Sequence, residues 1–298
     1  MRKPSLKYTS LVLVLLLFFN CKNEKHQEVL DQNDTPEKEY PFPIDTLSAE
    51  YTDKDFLDKS ITIELKQSNL IKKEDEREAF KGLISDERYV VDKKDYKINF
   101  NYPVLNENFK NSNKNFNDFI TNYYANVTQV ASEIMQSKLL CDSIAAENFR
   151  EERYIDYKIY IVSDQLVSVL FYKENFYSGA MHPSFSFDCF NFDLNEGAFM
   201  TYEDFFVQGS EDELLEIINK KIQQQIHKGE LYYECWELSS TDFFSSKNNF
   251  VLNDTYLEFY FDDCVMCPSY TGTYSIELPL VELLPVLKKY ASNGLVFQ

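Results

Sequence analysis

The stretch 172–192, YKENFYSGAMHPSFSFDCFNF, predicts two β-strands joined by a compact bend. The bend falls at Ser178, Gly179 and Ala180, where glycine provides the backbone freedom that a tight reversal needs. Pro183 follows directly after His182 and favours an extended conformation at that histidine. We therefore expect a hairpin, and we place the other elements of the chain around it.

Apolar residues alternate with other residues on both sides of this bend. Before it, one face of the first strand is formed by Val167, Val169 and Phe171, because side chains in a strand have a period of two. After it, the apolar residues change from odd to even positions in the sequence. They are first Phe185, Phe187 and Cys189, and then Phe190, Phe192 and Leu194. This change predicts a β-bulge in the second strand.

Three segments have the spacing of amphipathic helices. The first has apolar residues three and four positions apart, namely Phe116, Phe119, Tyr123, Val127, Val130 and Ile134. The second covers 213–226, with Ser210 as its cap and its end near Gly229. The third runs from about Pro279 to Tyr290, with inward residues Val281, Leu284 and Leu287. Together with the strands, they predict an α+β fold, a mostly antiparallel sheet packed against two or three amphipathic helices.

The N-terminus has the pattern of a secretory signal. Three basic residues precede the nine apolar residues of Leu11–Phe19, and Cys21 follows. We expect 1–20 to be a lipoprotein signal peptide and Cys21 to carry the lipid, in preference to an ordinary secretory peptide. Two or more acyl chains anchor a protein firmly to a bilayer.

The remaining chain divides into a tether and a domain. Residues 21–58 are polar, acidic and proline-containing, which is typical of a flexible spacer. Residues 59–298 form the α+β domain, with an N-terminal part 59–140 and a C-terminal part 141–298. Lys22, Asn23 and Glu24 after the cysteine favour the outer membrane, with the domain on its periplasmic or surface face.

The charge of the chain excludes some partners. It has 30 basic and 49 acidic residues, a formal net charge of −19. Removing the signal peptide removes three basic residues and changes the net charge to −22. Such a protein is not expected to bind nucleic acid or an anionic bilayer surface by electrostatics, whereas basic partners are attracted to it.

Several ordered motifs resemble the RsiV-like family. FYSGAMHP at 176–183 is similar to its Y-T-G-G-A-H-P motif, FNFDLNEG at 190–197 to a following strand, and TYEDFF at 201–206 to a short acidic segment. CVMCPSYTG at 264–272 aligns with Y-E-V-A-P-Y-x-x-G, with cysteine in place of the usual tyrosine and small residue. The resemblance extends from about Lys97 to Leu287.

This resemblance implies an extracellular binding domain. Family members are receptors for lysozyme in an anti-sigma factor, and related domains precede polysaccharide deacetylases. The two motifs imply contact loops at 178–183 and 262–270. The candidate binding residues are Tyr177, Ser178, Gly179, His182, Pro183, Pro268, Tyr270 and Gly272.

Five cysteines lie beyond the lipid site: Cys141, Cys189, Cys235, Cys264 and Cys267. Cys264 and Cys267 form a CxxC pair, for which we favour a structural disulfide, or cysteines that fill apolar positions, over redox or zinc chemistry. A redox motif needs a helix start and a lowered thiol pKa, and a zinc site needs four ligands.

Catalysis is the alternative to binding. His182 could act with nearby acids in an envelope hydrolase or a metal-dependent enzyme on peptidoglycan or polysaccharide. The sequence offers no recognised nucleophile elbow, HExxH or phosphate loop. We expect His182 to tie the bend by hydrogen bonds to the backbone, and we assign no catalytic residue, metal or cofactor.

The sequence thus favours a non-catalytic cell-envelope lipoprotein. Its expected ligand is a lysozyme-type basic hydrolase or a cell-wall glycan such as peptidoglycan. The acidic charge supports a basic partner, since complementary fields raise the association rate.

Overall fold

The predicted hairpin forms two long neighbouring strands, β4 (Leu166–Phe176) and β5 (Ser184–Asp193), in a computed structural model of the chain. The structure describes residues 80, 82–141, 147–163, 165–262, 264–268, 271 and 273–288. The two strands pair antiparallel without a register shift. Gly179 lies in the loop between them with a φ of +83°, in the left-handed region that favours glycine.

Six strands form the larger sheet, in chain order from β1 to β6. Besides β4 and β5 they are β1 (Ile84–Asp92), β2 (Tyr96–Leu105), β3 (Glu151–Val162) and β6 (Ala198–Met200). Every neighbouring pair is antiparallel except β2 and β3, which are parallel. Parallel neighbours require a crossover connection, and here the crossover carries helices that cover one face of the sheet.

The crossover contains two helices where the spacing predicts one. They are α1 (Asn113–Phe119) and α2 (Val127–Leu139), joined by a π-helical turn (Ile120–Tyr124). The Ala125 N–H donates to the Ile120 carbonyl, five residues back, which adds a residue to this turn.

The inserted residue changes which side chain faces the sheet. Tyr124 packs against Phe171 of β4, with ring centroids 4.6 Å apart, whereas Tyr123 is 77% exposed. The prediction that Tyr123 faces the core is therefore wrong. Phe116 and Ile134 are buried as expected, because each lies in a regular helix on one side of the turn.

Three further strands form a second sheet, in the order β7 (Phe250–Leu252), β8 (Tyr256–Phe261) and β9 (Tyr274–Pro279). Both neighbouring pairs are antiparallel. One face of this sheet packs on the larger sheet, and the other shares a core with the helices α3 (Tyr202–Phe205), α4 (Glu211–Lys228) and α5 (Ser240–Ser246). The layers of the fold are, in order, α1 and α2, the large sheet, the small sheet, and the helices α3 to α5. The predicted α+β fold is confirmed, with its strands divided between two sheets.

The predicted bulge in β5 is wrong. Phe187 and Cys189 pack against the small sheet, whereas Phe192 lies in the core beneath α1 and α2. The change in apolar parity arises because both faces of β5 are covered. A register shift occurs in β3 instead, between Ile159 and Ile161.

α4 agrees closely with its prediction. It ends at Gly229, whose φ of +73° is typical of a left-handed helix cap. Ser210 occupies the cap position at the other end, but its hydroxyl donates to the Val207 carbonyl instead of accepting from the first turn of the helix.

The predicted final helix is not formed. Leu280–Leu283 is a 3₁₀ turn, and Pro285 follows, which lacks the N–H that a continuing helix needs. Leu280, Leu283 and Val286 are buried at a spacing of three. Val281 and Leu284, predicted to point inward, are 71% and 58% exposed.

The predicted signal peptide, the tether and Cys21 lie outside the described residues. Within the described part of the chain, no helix has the length and apolar character needed to cross a membrane.

Candidate functional site

The first predicted contact loop is the tip of the β4–β5 hairpin. We call Tyr177–Pro183 the hairpin corner. Its turn is closed by the Ala180 N–H, which donates to the Tyr177 carbonyl at 3.0 Å. Met181 is 97% exposed and Tyr177 is about half exposed, so the corner presents apolar surface to solvent.

Two arginine residues around the start of β3 contact the hairpin corner. The Arg153 guanidinium lies 4.3 Å from the centre of the Tyr177 ring, and it also donates to the Phe176 carbonyl. Arg153 forms an ion pair with the buried Glu151. The Arg150 N–H donates to the Ser178 hydroxyl at 3.4 Å.

His182 is exposed within this corner. Its Nδ1 lies 3.3 Å from the Pro183 carbonyl, and it has no carboxylate partner among the described residues. This contact is to the adjacent residue of the chain, so the tying role expected for the imidazole stays a prediction. The described residues contain no group of three or more His, Cys, Asp or Glu side chains arranged to hold a metal ion.

The second predicted contact loop, which we call the second corner, belongs to the small sheet. Its residues 264–268 and 271 follow β8, while Tyr270 and Gly272 lie outside the described residues. The Pro268 carbonyl accepts from both the N–H and the hydroxyl of Thr271.

The disulfide expected between Cys264 and Cys267 is not formed. Cys267 is bonded to Cys235, which lies 32 residues earlier in the segment between α4 and α5. Trp236 reinforces this link, because its backbone N–H donates to the Met266 carbonyl at 2.8 Å. The second corner is therefore fastened to a distant segment, a pairing that CxxC spacing does not reveal.

A cleft that the sequence did not predict opens beside the hairpin corner. It has a volume of about 360 Å³, within the range of small-molecule sites. We call it the sheet-face cleft; its lining residues come from β2, β3 and β4 and are Lys97, Asn99, Glu152, Arg153, Tyr154, Glu174 and Phe176. All are half-buried.

Strand alternation explains the position of this cleft. Ile98, Phe100 and Ile155 point to the core beneath α1 and α2, so their neighbours Lys97, Asn99 and Tyr154 belong to the opposite face of the sheet. The small sheet covers that face at Tyr172, Phe187 and Cys189. The cleft lies on the part of this face contributed by β2, the beginning of β3 and the end of β4.

Hydrogen bonds fix the aromatic wall of the cleft. The Tyr154 hydroxyl donates to Asp156 at 3.0 Å, and Asp156 also accepts from the Asn101 amide at 2.9 Å. Burial and the Asp156 carboxylate raise the pKa of Tyr154 to about 12. The ring of Tyr154 lies edge-on to that of Tyr172, with centroids 6.2 Å apart, and burial beside Glu174 raises the pKa of Tyr172.

A polar network joins the two sheets further along the same face. Glu258 of β8 is buried, and its carboxylate accepts from the hydroxyls of Tyr160 at 2.5 Å and Ser275 at 2.7 Å. Asn249 accepts from the Cys189 N–H and donates to the Phe187 carbonyl. One sequence signal indicates that this face of the large sheet carries polar groups. Polar residues alternate along β3, at Tyr154, Asp156, Lys158 and Tyr160.

Comparisons with known proteins find similar sequences and structures. Residues 203–280, from α3 to the end of β9, match the model of a family described as a protein of unknown function, DUF3298. A crystal structure of a DUF3298 family member from Bacteroides fragilis is similar, with a TM-score of 0.52 and 15% identity over 69% of this chain and 93% of that chain. For a DUF3298 family protein from Pseudomonas aeruginosa, the TM-score is 0.49 and the identity 13%, over 69% and 95% of the two chains. No protein with a curated description matches.

Proposed function

We propose that this protein is a lipid-anchored binding module of the cell envelope, which captures a basic hydrolase of the lysozyme type through the hairpin corner. The observation that carries the proposal is the exposed apolar tip of the corner, with Met181 and Tyr177 both open to solvent, on a chain of net charge −19. Long-range attraction orients a basic partner, and an exposed apolar tip then provides area to bury.

The construction of the corner suits binding. Arg153 and Arg150 tie its base to the start of β3, so little backbone conformational entropy is lost when a partner docks. The resemblance to RsiV-like receptors points to the same loop. His182 makes its hydrogen bond to a neighbouring carbonyl, which favours this role over acid–base catalysis.

Binding is tested with residues 22–298 and hen egg-white lysozyme, by calorimetry and by residual muramidase activity. We expect a complex at 50 mM salt that inhibits the enzyme and weakens at 500 mM salt. Met181→Ser should weaken binding at least tenfold. Leu140→Ser is the matched control, because Leu140 is 89% exposed at the end of α2 and lies far along the chain from the corner.

Two results would refute this proposal. One is the absence of a complex at low salt, and the other is equal binding by the two variants. Because both side chains are almost fully exposed, neither substitution should lower the free energy of unfolding. A difference between them therefore reports on the corner itself.

Anchoring by Cys21 is the second part of the proposal. Cys21→Ser in the full chain should abolish incorporation of labelled palmitate and release the protein from the membrane fraction. Lys22→Ser leaves the cysteine in place and serves as the control for lipidation. Retention of labelled lipid by the Cys21→Ser protein would contradict the anchor.

A further inference from the structure

The sheet-face cleft is separate in chemistry from the hairpin corner. The corner is exposed and partly apolar, whereas the cleft is recessed and mixes rings with amide and charged groups. Its seven lining residues are half-buried and come from three adjacent strands of one sheet. Sites built on strands hold their side chains more precisely than sites built on loops.

Three charged side chains belong to the cleft face: Lys97 is cationic, and Glu152 and Glu174 are anionic. Arg153 also borders the cleft, but it has the parity of Ile155, and its guanidinium lies against Tyr177 and is paired with Glu151. Glu152 has a partner as well, since Arg150 Nε lies 3.3 Å from its carboxylate. The cleft therefore lacks the excess of one sign that selects an ionic ligand.

The lining instead offers donors and acceptors side by side. Asn99 supplies both, Lys97 supplies donors, and the two glutamates supply acceptors. The side chains of Lys97 and Asn99 make no hydrogen bond to the described residues, so their polar atoms are available to a ligand. A ligand that both donates and accepts at closely spaced atoms satisfies this set.

Two rings complete the cleft, those of Tyr154 and Phe176. Tyr154 is held in place through its hydroxyl, which is bonded to Asp156. Aromatic rings provide flat apolar area, while pyranose sugars combine an apolar C–H face with hydroxyls that donate and accept. We infer that the sheet-face cleft binds an uncharged oligosaccharide, which packs on these rings and hydrogen-bonds to Lys97, Asn99 and Glu174.

The test uses residues 22–298 and four trisaccharides, measured by calorimetry and by saturation-transfer NMR. Triacetylchitotriose and cellotriose are neutral, the free amine chitotriose is cationic, and trigalacturonate is anionic. We expect at least one neutral trisaccharide to bind, with an affinity that changes less than twofold between 50 and 500 mM salt. The two ionic probes should bind at least tenfold more weakly than that neutral sugar.

Variants locate the site within the sheet. Asn99→Ala and Phe176→Ala should each weaken binding at least tenfold. Asn175→Ala is the matched control, because Asn175 is also a half-buried amide on this sheet but alternates to the opposite face between Glu174 and Phe176. It should change the affinity less than twofold. Thermal melting of all three variants checks that each remains folded.

The inference is overturned if neither neutral sugar binds, if an ionic probe binds more tightly, or if Asn99→Ala binds like Asn175→Ala. Its failure is distinguishable from failure of the proposed protein capture. Met181→Ser should leave sugar binding unchanged, and Asn99→Ala should leave lysozyme binding unchanged.

Discussion

The hydroxyl of Tyr160 on β3 donates a hydrogen bond of 2.5 Å to the carboxylate of Glu258 on β8, and so connects the two sheets. Glu258 is 3% exposed, and Ser275 of β9 donates to its other oxygen. The Tyr260 hydroxyl lies 2.7 Å from that of Tyr160. A carboxylate buried between sheets is tolerated because hydroxyl donors replace the water that it loses.

Removing this carboxylate should destabilise the fold. Glu258→Ala leaves the hydroxyls of Tyr160 and Ser275 without their acceptor and opens a cavity, which we expect to cost about 2 to 4 kcal/mol. Glu258→Gln keeps an acceptor and should cost less. Urea unfolding measures both, with Glu277→Ala as control, because Glu277 pairs with Glu258 across the ladder and is exposed. Equal losses at the two glutamates would contradict the network.

Alkaline pH should destabilise the protein through its buried tyrosines. Burial and the Glu258 carboxylate raise the pKa of Tyr160 and Tyr260, and burial raises the pKa of Tyr202 to about 12. A phenol with a raised pKa in the folded state stabilises the fold fully below its unfolded pKa of about 10. That stabilisation is lost as the pH rises from about 10 through the folded pKa.

The urea midpoint should therefore be constant near pH 8 to 9 and fall between pH 10 and 12. Tyr202→Phe should make this fall shallower, although it also removes a hydrogen bond to Ser210. Tyr123→Phe removes an exposed hydroxyl and should leave the slope unchanged. A midpoint that stays level up to pH 12 would count against the linkage.

The Cys235–Cys267 disulfide should stabilise the fold by about 3 to 4 kcal/mol, because it closes a loop of 32 residues. Replacing both cysteines by serine should lower the free energy of unfolding by this amount and make it insensitive to dithiothreitol. Cys141→Ser is the control, since Cys141 lies outside this bond. Peptide mapping that found Cys264 bonded to Cys267 would contradict the structure.

Asn249 should be intolerant of a carboxylate. Its amide donates to the Phe187 carbonyl at 2.9 Å and to the Tyr260 carbonyl at 3.0 Å. In Asn249→Asp an anionic oxygen would face these carbonyls, so we expect a loss of roughly 3 kcal/mol in urea unfolding. Asn195→Asp is the control: Asn195 accepts from the cation of Lys110, so a carboxylate there should be neutral or stabilising. A smaller loss at 249 than at 195 would refute this role.

Local pattern was sufficient for many elements. The spacing in α4 specified a helix because one face of it packs against a core, and the alternation in β4 specified a strand although both of its faces are covered. Local pattern was insufficient for the geometry of β5 and of the crossover helices. β5 is covered on both faces, and the π-helical turn before Ala125 inserts a residue that apolar spacing does not report.

The sequence by itself determined the α+β class, the hairpin around Gly179 and the acidic charge, since periodicity, glycine conformation and ionisable groups are local properties. Tertiary structure decided that Cys267 bonds to Cys235, that Glu258 is buried against Tyr160, and that three strands place a cleft beside the hairpin corner. These features join residues distant in the chain. Their energies depend on which surfaces meet, and one sequence without its fold does not contain that information.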